Sequence, residues 1–274
     1  MVAAINAPKL RMLANEKVGA EIRKILCGRY AADVIDENKT SIAWVIPEII
    51  DMVGCEQNNP YHVEDVFQHT LSATRNMSTS NIFPAEWVDD YVHCALFFHD
   101  IGKPKSKSTD ENGCDHFYHH AAKSAEITYD ILTRLRFNSK DRDIIVELVK
   151  NHDMELVATK ACARRMLNKF GVDQLHRLLK IRECDNRAHS ELAYPRFKNT
   201  VAFACCVEEV LDERSTFSIK NLAVNGNDLI AIGFKQGPAI GSVLNDLLNL
   251  VIDEQIQNEK AALLEVAAER LRDV

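Results

Sequence analysis

His99 and Asp100 stand side by side in Val92–Pro104, VHCALFFHDIGKP. Val92, Ala95, Leu96 and His99 fall on one helical stripe, so an imidazole occupies a position suited to leucine and a carboxylate follows it directly. An unpaired carboxylate in the interior is strongly destabilising. The pair therefore predicts a bound metal or a salt bridge, with further partners elsewhere in the chain. Gly102 is expected to end the helix in the left-handed conformation and Pro104 to block its resumption. The free carbonyls at that helix end favour a nearby cation.

Other segments deliver the same residue types. In YHVEDVFQHTLSAT, His62, Val66, His69 and Ala73 recur at spacings of four, three and four, one helical stripe. His119 and His120 open the helix FYHHAAKSAEITYDIL, where the helix N-terminus keeps a histidine neutral and able to ligate. Ile145, Leu148, Val149 and His152 share a stripe, so a histidine again completes a buried face. In QLHRLLKIRECDNRAH, Leu178, Ile181 and Asp185 lie on one face, and an ionised Asp185 there requires a partner. Arg182 or Arg187 can supply it, and so can a metal. A lone histidine on an apolar face is more often a hydrogen-bonded core residue than a ligand, but four helices each turning a His or Asp inward favour one shared cation.

The elements that must position these residues are helical. Leu10, Leu13, Val18, Ile22, Ile25 and Leu26 give one or two amphipathic helices over Lys9–Cys27, and a second helical piece runs over Ser41–Ile50, interrupted at Pro47. Gly54–Pro60 is a polar breaker segment. A helix starting near Pro84 ends in His99-Asp100, a polar loop covers residues 105–115, and a helix spans Thr200–Leu211. Asn225-Gly226 is a turn with Asn227 or Asp228 as helix cap, and Val243, Leu244, Leu247, Leu248 and Val251 form an apolar stripe.

Composition narrows the function. The chain has 274 residues, 46% hydrophobic, enough for one large helical domain or a few subdomains. No apolar run approaches the roughly 18 residues of a membrane span, and Met1–Ala20 does not read as a signal sequence, so the expected location is cytoplasmic without membrane association. Eight cysteines, two of them adjacent at Cys205-Cys206, are expected to be reduced. The net charge of −7 argues against broad polyanion affinity, so a phosphate-bearing substrate needs a local basic pocket or a metal. Residues 1–54 contain neither a glycine-rich phosphate loop nor an Asp-x-Asp pair, and the Gly237–Gly241 segment lacks the Lys-Ser/Thr of a phosphate loop.

The order His69, His99-Asp100, Asp185, with His120 and His152 between, resembles the HD phosphohydrolase superfamily, all-helical enzymes that bind one or two divalent metals and cleave phosphoester bonds. HDIGKP carries most of the resemblance, and FYHH and LVKNHD add to it. It implies His69, His99, Asp100 and Asp185 as ligands of a first metal and His120 and His152 as ligands of a second, with Asp100 placed to bridge. YHVEDVFQHTL, HDIGKP, FYHHAAKSAE, RRMLNKFG and LAVNGNDLIAIGFKQGPAIGSVLNDLL are further similar to the HD-containing C-terminal body of bacterial tRNA nucleotidyltransferases, the CCA-adding enzymes. The nucleotidyltransferase head, with its paired catalytic aspartates, has no counterpart in this sequence, so CCA addition is not inferred. His119 also departs from the family pattern, which usually has Gly before the His aligned with His120.

The resemblance implies an all-α fold, an HD-domain helical bundle over residues 59–192 flanked by N- and C-terminal helical subdomains, 1–58 and 193–274. Imidazole and carboxylate suit Mn2+, Fe2+, Ni2+, Co2+ or Zn2+, whereas an all-oxygen shell favours Mg2+. The expected activity is hydrolysis of a phosphomonoester or a 2′,3′-cyclic phosphodiester on a nucleotide or RNA end. Asp100 and Lys103 are the expected catalytic residues, with Lys103, Arg75, Lys123 and Arg187 holding phosphate. The alternative is an RNA-binding module braced by a structural metal, which Arg164, Arg165, Lys169, Arg177, Lys180 and Arg182 would serve. A catalytically inactive relative is disfavoured because every expected ligand type is present.

Overall fold

The computed structural model describes residues 7–272; residues 1–6 of the Met1–Ala20 stretch and residues 273–274 lie outside them. The described chain is all-α apart from one pair of two-residue strands. In order, the helices are α1 (Asn15–Leu26), α2 (Ala31–Ile42), α3 (Val66–Thr79), α4 (Asp90–Phe98), α5 (Lys103–Ser106), α6 (His120–Arg134) and α7 (Ser139–Asn151). They continue with α8 (Lys160–Phe170), α9 (Val172–Asn186), α10 (Tyr194–Asp212), α11 (Gly226–Ala231), α12 (Pro238–Ile252) and α13 (Lys260–Arg272). Between α5 and α6 an antiparallel hairpin pairs β1 (Ser108–Thr109) with β2 (Asp115–His116). Among the described residues no helix is long and apolar enough to cross a membrane.

The chain forms two compact units. The first comprises the residues up to Glu155 with Asp173–Val201, and the second Leu156–Val172 with the chain from Ala202 onward. In the first, α4 packs between α1, α3 and α7, and α6 lies along α7. Phe67, Leu71, Leu96, Phe97, Phe98, Ile131, Ile145, Leu148 and Leu178 are buried there. Side-chain caps fix where these helices begin. Asp65 accepts from the Gln68 amide at 2.7 Å, Asp89 from Tyr91 and Val92 at 3.0 and 3.2 Å, and Asn138 from Asp141 at 2.9 Å. The second unit has its own core of Val224, Leu229, Phe234, Leu247, Leu263 and Ala267.

Several local expectations are corrected. The helix expected over Ser41–Ile50 is instead the end of α2 followed by a 3-10 turn over Pro47–Met52, because Pro47 lacks the amide that an α-helix would need there. His62 is not on the helix of His69. The Asp65 cap starts α3 at Val66 and leaves His62 in the preceding loop. At the start of α11, Asn225 is the cap rather than Asn227 or Asp228; its side chain accepts from Asn227 N while Asp228 reaches back to the Asn225 amide.

Gly102 is not left-handed. Its φ is −87°, and Lys103-Pro104 begin the short helix α5 rather than stopping one. A Cβ at residue 102 would lie 2.4 Å from Ser124 N and 2.8 Å from the Lys123 carbonyl carbon. Glycine is required because the α6 backbone presses against this point, where Gly102 N donates to Ser124 Oγ at 2.9 Å. That contact brings His99-Asp100 beside the first turn of α6.

Candidate metal centre

His69 comes from α3, His99 and Asp100 from the end of α4, His120 from the first turn of α6, His152 from the end of α7 and Asp185 from α9. The structure brings all six together. His69 Nε2 lies 3.0 Å from Asp185 Oδ1 and 3.6 Å from Asp100 Oδ2. His99 Nε2 lies 3.2 Å from Asp100 Oδ2 and 3.5 Å from Asp185 Oδ1. The other oxygen of Asp100, Oδ1, faces His120 Nε2 at 3.4 Å and His152 Nε2 at 3.8 Å. One carboxylate thus looks toward two imidazole pairs from opposite oxygens.

The imidazoles are oriented within their own turns. His99 Nδ1 donates to Leu96 O at 2.6 Å, His120 Nδ1 to Phe117 O at 3.0 Å and His152 Nδ1 to Val149 O at 2.7 Å, each to the carbonyl three residues earlier. With the Nδ1 proton so committed, each ring in its neutral form would present its Nε2 lone pair to the cluster. His120 Nε2 and His152 Nε2 then stand 3.2 Å apart, lone pair toward lone pair, which calls for a proton or a cation between them.

The polar atoms at the centre test whether a cation fits. His99 Nε2 and both oxygens of Asp100 are buried with no partner in hydrogen-bond geometry. Buried polar atoms are rarely left so. The donors form two sets, His69, His99 and Asp185 in one and His99, Asp100 and His152 in the other, each with its donor atoms within 4.8 Å of one another. Two buried carboxylates, Asp100 and Asp185, lie among these imidazoles, with the buried ammonium of Lys103 beside Asp100. Nitrogen and oxygen donors at this spacing suit a divalent ion.

Electrostatics agrees with the geometry. Burial opposes ionisation of Asp100 and Asp185, yet neighbouring imidazoles, with Lys103 beside Asp100, hold both well below the usual carboxylate range. Burial also opposes a charged His99, but the two carboxylates outweigh it and hold its pKa up at about 10. His152 is pushed down to about 3 by burial and the charge on His99, and His69 to about 4 chiefly by burial. The pocket therefore keeps His69 and His152 neutral, as ligands must be, while its carboxylates draw positive charge onto His99.

Lys103 is buried at this wall. Its Nζ ion-pairs with Asp100 Oδ2 at 2.7 Å and donates to Gln57 Oε1 at 2.8 Å and His62 Nε2 at 3.2 Å. The other expected phosphate contacts are elsewhere. Arg75 pairs with Asp33 at 3.1 Å and lines a separate cavity, Lys123 pairs with Glu126 at 2.8 Å, and Arg187 lies 3.9 Å from Glu183. Arg182 is not the partner of Asp185; it donates to His152 O and Met154 O at 2.8 and 2.7 Å. His119 is exposed and has φ 61°, a left-handed conformation at which glycine is at ease.

The cluster opens into a cavity of about 270 Å3 whose wall includes Asp100, Lys103, His120, His152, Asp185 and Arg196. Residues 61–189 match the family model described as the HD domain. Residues 126–267, more than half of the chain, match the model described as tRNA nucleotidyltransferase domain 2, putative. The chain belongs to the tRNA nucleotidyltransferase domain 2 family and carries an HD domain. HD domains bind divalent metals, and the fold is one of metal-dependent phosphohydrolases. The chain is 30% identical over 256 residues to the A-adding tRNA nucleotidyltransferase of Deinococcus radiodurans, which covers 90% of this chain and 56% of that protein. It is 45% identical over 51 residues to the CCA-adding enzyme of Limosilactobacillus fermentum, 19% of this chain and 13% of that one. This member of the family thus spans little more than half the length of the first relative.

Three residues at the cavity escape the sequence reading, and a fourth, His62, stands on a loop rather than on the helical stripe expected for it. His62 reaches it from the loop before α3, and His189 sits 3.6 Å from Asp185 Oδ1 and accepts its place through Nδ1 donating to Asp185 O at 2.9 Å. Asp153 follows His152 directly and pairs with Arg196 from α10. Burial opposes the charge on Arg196, but Asp185 and Asp153 outweigh it and raise its pKa. The His152-Asp153 doublet and the four-residue spacing of Asp185 and His189 were visible signals; Arg196 had none.

Proposed function

We propose that this chain is a metal-dependent phosphohydrolase, acting on a phosphomonoester or a 2′,3′-cyclic phosphodiester of a nucleotide or RNA end. The observation that carries the proposal is Asp100, whose two buried oxygens face separate imidazole pairs at the floor of an open cavity. His69, His99, Asp100 and Asp185 would hold one ion, and His120 and His152 with Asp100 a second. When bound, a divalent cation lowers the pKa of water and neutralises charge at phosphorus. Lys103 keeps Asp100 ionised and aimed at the cluster. Arg196, in the cavity wall, is the cation offered to a phosphate oxygen, exchanging Asp153 for substrate. Burial of His69, His99 and His152 keeps their lone pairs away from bulk solvent.

The test is a metal panel, Mn2+ through Zn2+ and Mg2+, against p-nitrophenyl phosphate, bis-p-nitrophenyl phosphate, 2′,3′-cyclic nucleotides and deoxynucleotides. Asp100→Ala is expected to abolish turnover with the helical spectrum retained. Unchanged turnover in a folded Asp100→Ala protein removes the proposal.

The name of the first relative, a tRNA nucleotidyltransferase, supports a second reading in which the chain docks tRNA-like RNA. The basic residues meant to serve it are largely engaged. Lys180 pairs with buried Glu183 at 2.9 Å, Arg177 with Asp89 at 2.7 Å, Arg164 donates to Ile252 O at 3.2 Å, and Arg165 pairs with Asp253. RNA affinity that survives chelation, with no ester turned over, would select this reading.

A further inference from the structure

The β1–β2 hairpin carries three side chains that the centre above does not use. Its register pairs Ser108 with His116 and Thr109 with Asp115, and Asp110 N donating to Cys114 O at 2.9 Å extends the pairing by one position. Side chains alternate along a strand. Asp115 therefore points one way and Asp110, Cys114 and His116 the other. Asp115 is the anchor, buried and accepting from Thr109 Oγ1 at 2.6 Å and from Asn58 N and Nδ2 at 3.0 and 2.9 Å, with Lys107 Nζ 2.7 Å away. The opposite face is left to the other three.

On that face a thiol, an imidazole and a carboxylate converge, with one donor atom from each within 4.8 Å of the others. Asp110 is already oriented. Its Oδ1 accepts from Asn112 N and Cys114 N at 2.9 Å each, which turns Oδ2 toward the cluster, where it is hydrogen-bonded to His116 Nε2 at 3.1 Å. In a tetrahedral zinc site with bonds of about 2.0–2.3 Å, donor atoms stand about 3.3–3.8 Å apart. Small movements of partly exposed side chains reach that spacing. Gly113, with φ 77°, supplies the turn that folds Cys114 back over Asp110.

We propose that Asp110, Cys114 and His116 bind a thiophilic divalent cation, Zn2+ by the chemistry of the donor set, with water or solvent in the fourth position. This site is separate from the buried cluster, which contributes nitrogen and oxygen donors only. The ion clamps the hairpin tip at the rim of the cavity, since Cys114 and His116 both line it. The clamp bears on the centre through the next residue, because the Phe117 carbonyl is what orients His120.

Cobalt tests the site without reference to any activity. Titrating the full chain with Co2+ is expected to produce a thiolate-to-cobalt charge-transfer band in the near ultraviolet, which nitrogen and oxygen ligands cannot give. Cys114→Ser and His116→Ala are each expected to lose that band and to bind one equivalent of Co2+ less than the wild type. A second measurement needs no variant. Stoichiometric Zn2+ should slow alkylation of Cys114 by iodoacetamide at least tenfold, read by peptide mass mapping. Absence of the band in the wild type, its survival in Cys114→Ser, or unprotected Cys114 in the presence of Zn2+ overturns the proposal.

Discussion

Substituting Gly102 by alanine tests whether the approach of α5 to α6 is what assembles the cluster. The added methyl group would lie 2.4 Å from Ser124 N, 2.8 Å from the Lys123 carbonyl carbon and 2.9 Å from His120 O. All three are backbone atoms of α6, so no change of rotamer relieves the contact. Ordinary contact begins at 3.4 Å, and the two segments must separate by 3.4 − 2.4, or about 1.0 Å. Over-packing of this kind destabilises by about 1–3 kcal/mol, and stretching the buried Gly102–Ser124 hydrogen bond adds about 1 kcal/mol. The expected loss is therefore about 2–4 kcal/mol in urea unfolding. The same displacement opens the 3.4 Å approach of His120 to Asp100, so calorimetric affinity for divalent ions should fall with stability. Gly241→Ala is the counterpart. Nothing lies within 4 Å of its Cβ position inside α12, and alanine's helix preference should stabilise by about 0.5–1 kcal/mol. If Gly102→Ala unfolds within about 0.5 kcal/mol of the wild type, the close approach does not organise the site.

Asp185→Asn removes a charge while keeping its shape, so divalent affinity should fall at least tenfold by about the 1.4 kcal/mol that one such factor represents, and the rise in Tm that divalent ions give the wild type should disappear; an undiminished rise would exclude Asp185 as a ligand. Chelation of the wild type should lower Tm, since an ion at about 100 times its Kd stabilises the folded state by about 2.7 kcal/mol; a Tm indifferent to chelator would count against a resident ion. His119→Gly should stabilise by about 0.5–1 kcal/mol, because φ 61° disfavours any side chain, and a loss of stability in urea melts would contradict that reading. Burial works against ionised Asp141, but Arg23 and Tyr91 outweigh it and hold its pKa below the usual value. A depressed carboxyl adds stability that is full above its unfolded pKa of about 4 and fades as pH falls further. The stability gap between wild type and Asp141→Asn should therefore hold from neutral pH down to about pH 5 and narrow below about pH 4, and a gap independent of pH would refute the assignment.

The all-α class and the inward histidines were legible because helical periodicity carries them. Ile145, Leu148, Val149 and His152 share a stripe in the sequence and meet in the interior, and the same holds for Leu178, Ile181 and Asp185. What the sequence misread depends on contacts between distant segments. Gly102 looked like a helix stop, whereas its constraint is the α6 backbone, twenty-two residues further along at Ser124. Charge runs misled for a related reason. Lys180 and Arg182 suggested a basic surface, but both lie buried on α9, where Glu183 and two backbone carbonyls meet them.

The orientation and the spacing of the ligands therefore have different origins. His99, His120 and His152 each turn Nδ1 onto a carbonyl three residues back, an arrangement that a single turn of chain provides without help from the rest. Whether their Nε2 atoms then meet around Asp100 is decided by packing, with the glycine at 102 as its tightest point. A substitution within the turn, such as loss of an i−3 carbonyl geometry at Phe117, should misdirect one lone pair. A substitution at Gly102 should move α5 and α6 apart, and with them Asp100 and His120, leaving every imidazole correctly aimed.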